Sequence, residues 1–176
     1  GIMCRTDAML GCLPLFHSFG FTVTLWYPLL HGVRLITIPS PLEVKKIAES
    51  IHEERATIFM GTPTFLRPYL RKAEPEQLRT LRGIIAGAEK LPADLRQAFM
   101  DKFNVPIFEG YGLTETSPVT SVNLPDPEAP TATAEMQAGN RPGSVGRLLP
   151  GMTARIRDPD TSAEKSLLDV GMLHLR

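Results

Sequence analysis

The chain has 176 residues, 43% of them hydrophobic, and Lys+Arg 19 balances Asp+Glu 19. That length and composition support a buried core, which excludes general disorder, and zero net charge excludes an overall field that would draw in nucleic acid or an anionic membrane. Two cysteines, Cys4 and Cys12, are too few for a disulfide framework or a zinc site and suit a reducing compartment, so the expected location is the cytoplasm.

Ala8 to Val33 carries no Asp, Glu, Lys or Arg. About 20 apolar residues suffice to cross a bilayer, but Pro14, His17, Ser18, Gly20, Pro28 and His31 interrupt this run, so it reads as two buried segments joined by a polar turn. Met9 to Leu15 is a strand, and Phe19 to Leu30 a mostly buried helix stopping before Gly32. Val33 to Ile38 is the second strand. Ser40-Pro41-Leu42-Glu43 supplies an N-cap, a proline at the first helical position and a Glu at N3, which together predict a capping box. Val44, Ile47, Ala48 and Ile51 then form one apolar stripe at helical spacing, with Glu43, Glu53 and Glu54 on the solvated face.

Thr57 to Met60 is a short strand, and Thr62-Pro63 opens a helix carrying Phe65, Leu66, Tyr69 and Leu70. Gly83 to Ala86 is a strand, Pro92 to Phe103 a helix with Leu95, Ala98, Phe99 and Phe103 inward, Pro106 to Phe108 a strand, and Val119 to Val122 another. Strands alternating with helices predict an α/β fold, a parallel sheet covered by helices. Leu124 to Arg141, rich in Pro, Ala and Thr, reads as a surface loop. From Ser144 come short strands split by Pro150-Gly151, Asp158-Pro159 and Gly171. The expected organisation is an α/β part over residues 1–123, a loop over 124–142 and the start of a β-rich piece over 143–176.

In an open parallel sheet, ligands bind beyond the carboxyl ends of the strands. Polar features fall at four such places: His17-Ser18, Gly61-Thr62-Pro63, Gly87-Ala88-Glu89, and Gly110-Tyr111-Gly112-Leu113-Thr114-Glu115. The glycines beside Tyr111 let backbone approach a planar ligand while the ring offers a stacking face. Thr114 offers a hydroxyl to a phosphate oxygen, and Glu115 a carboxylate that suits Mg²⁺. By residue type alone, a glycine-flanked turn with a core Tyr and a capping Glu is the competing reading.

Gly110 to Glu115 followed by Thr116-Ser117-Pro118-Val119, with Ala86-Gly87-Ala88-Glu89-Lys90-Leu91 and Leu13-Pro14-Leu15-Phe16-His17-Ser18-Phe19-Gly20 before it, resembles successive core motifs of the adenylate-forming superfamily. Gly143-Ser144-Val145-Gly146-Arg147 with Pro150-Gly151 resembles the next motif in the same order. Within the superfamily these motifs are most similar to bacterial acyl-[acyl-carrier-protein] synthetases fused to a 2-acylglycerophosphoethanolamine acyltransferase, or to long-chain acyl-CoA synthetases near them.

The resemblance implies an acyl-CoA or acyl-carrier-protein synthetase that uses ATP and Mg²⁺. Tyr111, between Gly110 and Gly112, would stack on adenine, with Gly87, Ala88 and Glu89 on the other side of the base. Thr114 would contact phosphate, Glu115 would hold Mg²⁺, and His17 would orient the attacking carboxylate. Gly61, Thr62 and Phe65, with the helix Phe19 to Leu30, would wall the acyl pocket. Implied partners are a fatty acid and CoA or acyl carrier protein. A membrane lysophospholipid would be added in a fused parent associated with the inner membrane.

Gly1 in place of Met and Arg176 inside a predicted strand are expected to be cuts, leaving a central piece that does not make acyl-adenylate alone. Met172 stands where the family usually has Glu. An α/β-hydrolase is disfavoured because no serine has the paired glycines of a nucleophile elbow. A nucleotide- or acyl-binding module without catalysis is the remaining alternative.

Overall fold

The computed structural model describes residues 3–126, 139–166 and 169–176. Seven strands form one sheet in the order β2-β1-β3-β4-β5-β6-β7. They are β1 (Ala8–Gly11), β2 (Arg34–Thr37), β3 (Ile58–Gly61), β4 (Gly83–Ala86), β5 (Ile107–Gly112), β6 (Val119–Val122) and β7 (Arg147–Leu148). The first five are parallel, and β6 and β7 extend the sheet in antiparallel pairing. β8 (Ala154–Arg157) and β9 (Met172–Leu175) form a separate antiparallel pair. The middle of the predicted 124–142 loop lies outside the described residues.

One face of the sheet is covered by α2 (Val44–Glu53), α4 (Tyr69–Lys72), α5 (Pro75–Leu78) and α6 (Ala93–Phe103). The α2 stripe Val44, Ile47, Ala48 and Ile51 is buried against Leu10 and Phe59, and Leu95, Phe99 and Phe103 of α6 against Ile84 and Ile107. Fully burying one such side chain is worth about 1.5–3 kcal/mol, so this face supplies most of the core. On it the Cys12 thiol is pushed up to about 12 by burial, which leaves it an inert packing group. The opposite face carries a smaller cluster, Met9, Leu13, Val23, Val33, Ile58 and Met60, under a π-helix (Phe19–Trp26) that runs into α1 (Tyr27–Leu30).

Several local expectations change in the structure. The predicted capping box is not formed. Ser40 to Glu43 makes a turn in which Ser40 Oγ accepts the Leu42 N–H at 3.3 Å, and the helix begins one residue later, at Val44. The segment Phe19–Trp26 is wound wider than an α-helix, the Tyr27 N–H reaching Thr22 five residues back while Thr24 Oγ1 donates to the Gly20 carbonyl at 2.7 Å. The outer side of this segment and of α1, Phe21, Trp26, Leu29 and Leu30, is exposed rather than buried. The helix after Thr62 splits into α3 (Pro63–Leu66) and α4, because Pro68 has no N–H to continue the ladder. The first strand ends at Gly11, short of Leu15. Tyr111 and its flanking glycines are not a loop: β5 runs on to Gly112, leaving β4 after Glu109 and pairing with β6 from Gly110.

Asp7 anchors the end of the sheet opposite the expected ligand rim. Its carboxylate is 3% exposed and accepts from Cys4 N at 2.8 Å, Thr57 Oγ1 at 2.7 Å and Arg82 Nη2 at 2.7 Å. Burial raises its pKa, but these hydrogen bonds outweigh burial and hold the carboxyl below its ordinary value. A pKa depressed by folding gives stability that is present above the unfolded value near 4 and is lost as pH falls through the lower folded value. Asp7→Asn is expected to cost about 1–3 kcal/mol at pH 7 and to remove part of the acid-side slope. Urea melts of both proteins at pH 7 and pH 3 measure the difference, which should shrink at the lower pH.

Candidate active site

A cleft of about 520 Å³ opens on the face of the smaller cluster, at the carboxyl ends of the parallel strands. His17 and Ser18 reach it from the turn after β1, Gly87 and Ala88 from the turn after β4, and Gly110, Tyr111 and Gly112 from the end of β5. Thr114 and Glu115 line it from a short 3-10 turn, Thr114–Thr116. The ring at 111, the carboxylate at 115 and the imidazole at 17 therefore share one cavity. Ser18 Oγ and Thr114 Oγ1 meet at 3.3 Å, a direct bond between the first and last of these segments.

The sequence folds this way for local reasons. His17 Nδ1 accepts the Phe19 N–H at 3.1 Å. In the neutral imidazole the proton then sits on Nε2, which is left as a donor. Gly87 has no Cβ, and one added there would stand 3.2 Å from the Phe19 ring and 3.7 Å from the Gly110 carbonyl. Backbone, ring and neighbouring strand converge at that point. Ala88 has φ 67°, a left-handed conformation that costs about 1–2 kcal/mol for a residue with a Cβ. The turn bearing Thr114 and Glu115 is built around Thr116, whose Oγ1 accepts from Leu113 N at 3.0 Å and Thr120 Oγ1 at 2.9 Å and can donate to the Pro118 carbonyl at 2.9 Å.

The other expected residues sit beside the cleft. Gly61 and Thr62 are not among its lining residues; Thr62 Oγ1 instead caps α3 by accepting the Phe65 N–H at 3.4 Å. Phe65 packs in the apolar cluster below. Glu89 turns away and accepts from Thr64 Oγ1 at 2.7 Å and Thr64 N at 3.3 Å. The inner wall is made by Phe19, Val23, Tyr27, Ile58, Met60, Ile85 and Val119. Ile58 and Met60 were legible as one face of a strand by period two, but nothing local says which face a cleft occupies.

Among the described residues, no group of three or more His, Cys, Asp or Glu is placed to hold a metal ion. One carboxylate, Glu115, beside the Thr114 hydroxyl fits a hard cation such as Mg²⁺, which keeps water and substrate phosphates as its other ligands.

The profile of the AMP-binding enzyme family matches residues 2–176. The chain belongs to that family. It is 31% identical over 159 residues to the long-chain-fatty-acid–CoA ligase of Bacillus subtilis (strain 168), covering 88% of its own length and 26% of the relative. It is 32% identical over 166 residues to the mitochondrial medium-chain acyl-CoA ligase ACSF2 of Bos taurus, covering 93% of itself and 26% of that protein. Apo MatB from Rhodopseudomonas palustris superimposes with a TM-score of 0.83 at 29% identity, over 99% of this chain and 32% of MatB. ATP-bound MatB gives 0.81 at 28% identity, over 98% of this chain and 32% of MatB. The chain thus spans about a quarter of the length of these curated relatives. The mixed α/β sheet is the architecture of adenylate-forming enzymes.

Proposed function

We propose that this chain is the central part of an ATP-dependent acid–thiol ligase that activates a fatty acid as its acyl-adenylate. The observation that carries the reading is the shared cleft: His17, Tyr111 and Glu115 at its mouth, and an inner wall from Phe19 to Val119 without a charged side chain. An apolar wall of that kind favours the alkyl chain of a monocarboxylate and leaves a second carboxylate unpaired.

Tyr111 offers its ring to adenine, and the backbone of Gly87 and Ala88, which lines the same cleft, takes the other side of the base. His17 donates from Nε2 to the acid's carboxylate and aims one oxygen at the α-phosphorus of ATP. That oxygen forms the new P–O bond as the bond to pyrophosphate breaks. Mg²⁺, held by Glu115 beside Thr114, supplies neutralisation of the phosphate charge when bound. In the second half-reaction a phosphopantetheine sulfur bonds to the acyl carbon, AMP leaves, and the thiol proton passes to solvent. CoA is the first choice of thiol, supported by the CoA ligases among the relatives. Acyl carrier protein and, in a fused parent, a lysophospholipid are the alternative acceptors this reading admits. The 176 residues alone are proposed to be inactive.

The test is ATP–pyrophosphate exchange in the full-length polypeptide. Exchange should depend on a medium- or long-chain fatty acid and should not be supported by malonate, while the 176 residues alone should give none. Exchange that ignores the acid would overturn the reading.

A further inference from the structure

Glu109 has no part in the chemistry described, yet it is a carboxylate only 8% exposed beside the cleft. Its Oε1 accepts the Leu91 N–H at 3.0 Å. In the parallel ladder it stands opposite Ala86. The segment 87–91 therefore leaves the sheet next to the Glu109 backbone and returns to the Glu109 side chain. The Glu109 carbonyl is itself held by the Asn123 N–H at 2.9 Å and Asn123 Nδ2 at 3.2 Å, and Asn123 is buried. Gly87 and Ala88, at the start of that segment, line the cleft with Gly110 and Tyr111, which follow Glu109 directly.

We infer that Glu109 is a positioning residue for the nucleotide: by clamping Leu91 it sets the gap between the Gly87-Ala88 backbone and the Tyr111 ring. This rests on the adenylation reading, which puts a planar base in that gap. The left-handed Ala88 is strained, and a loop under strain keeps its shape only while both ends are held. A carboxylate accepting a backbone N–H in a buried site is a strong tether. Gln retains the acceptor oxygen and Ala removes it.

The experiment measures ATP binding by calorimetry and the apparent KM for ATP and for fatty acid in full-length wild type, Glu109→Ala and Glu109→Gln. Amide hydrogen exchange over residues 87–91 is followed in parallel. Glu109→Ala should weaken ATP binding and raise KM for ATP by about tenfold, the fold-change matching one lost hydrogen bond of about 1.4 kcal/mol, with KM for the acid unchanged and exchange at 87–91 accelerated. Glu109→Gln should stay close to wild type in all four readouts. If the alanine variant does not fold, a Gln variant that loses ATP affinity by about tenfold or more overturns the inference. So does an alanine variant whose ATP and acid KM values rise together. A wild type that binds no ATP would instead overturn the adenylation reading, and this inference with it.

Discussion

Replacing Glu115 with alanine is expected to lower fatty-acid-dependent ATP–pyrophosphate exchange by two to three orders of magnitude, roughly 2.7–4 kcal/mol of barrier. The carboxylate sits on the cleft rim next to Thr114, whose hydroxyl is tied to Ser18. A carboxylate attacking a polyanion meets charge repulsion, so the proposed adenylation depends on positive charge being held where negative charge accumulates. Glu115→Gln keeps the size and one oxygen but not the charge, and should lose nearly as much. Tyr111→Phe keeps the ring face and should fall within a few-fold of wild type, because stacking needs the ring and not the hydroxyl. Exchange assays at saturating ATP and Mg²⁺ compare the three. Exchange that survives undiminished in Glu115→Ala would remove the catalytic role assigned to Glu115.

A large loss of stability is expected from Gly112→Ala. A Cβ at Gly112 would stand 1.6 Å from the Pro118 carbonyl oxygen, 2.6 Å from its carbon and 2.9 Å from Val119 Cα. All three are backbone atoms, so no side-chain rotation relieves the overlap. The register shift between Tyr111 and Gly112 brings the two strands together at this point, and β5 and β6 would have to part. The cost is put at about 3 kcal/mol or more, at the upper end of overpacking effects. Gly61→Ala is the control: its nearest neighbours are Leu66 side-chain atoms at 3.5 and 3.6 Å, ordinary contact. Urea denaturation should separate the two substitutions by well over 2 kcal/mol. Similar midpoints would show that the β5–β6 junction yields easily.

How far each element could be read depended on the range of the forces that form it. The strand Gly83–Ala86 and the strand Val119–Val122 stand where residue pattern put them, since short apolar runs between turn signals leave few alternatives. Helix α6 ends at Asn104 in the left-handed conformation, a local stop that needs no tertiary partner. The capping box at Ser40 failed because a side-chain cap is worth only about 1 kcal/mol, and the chain leaving β2 took a turn first. The extension of β5 through Gly110 and Gly112 was invisible locally: glycine is a poor strand former. Only the approach of β6 makes it the residue that fits.

Composition, the β-α alternation and the motif residues His17, Gly87, Tyr111, Thr114 and Glu115 were all present in the bare order of amino acids. These properties are set by side-chain chemistry and by neighbours a few positions apart. That those residues share one cleft, that Phe19, Tyr27 and Met60 rather than Gly61 and Thr62 wall it, and that Glu109 closes a loop onto Leu91 were decided in three dimensions. Each of these depends on contacts between segments far apart in the chain, and such contacts exist only after the sheet has fixed the order and register of its strands.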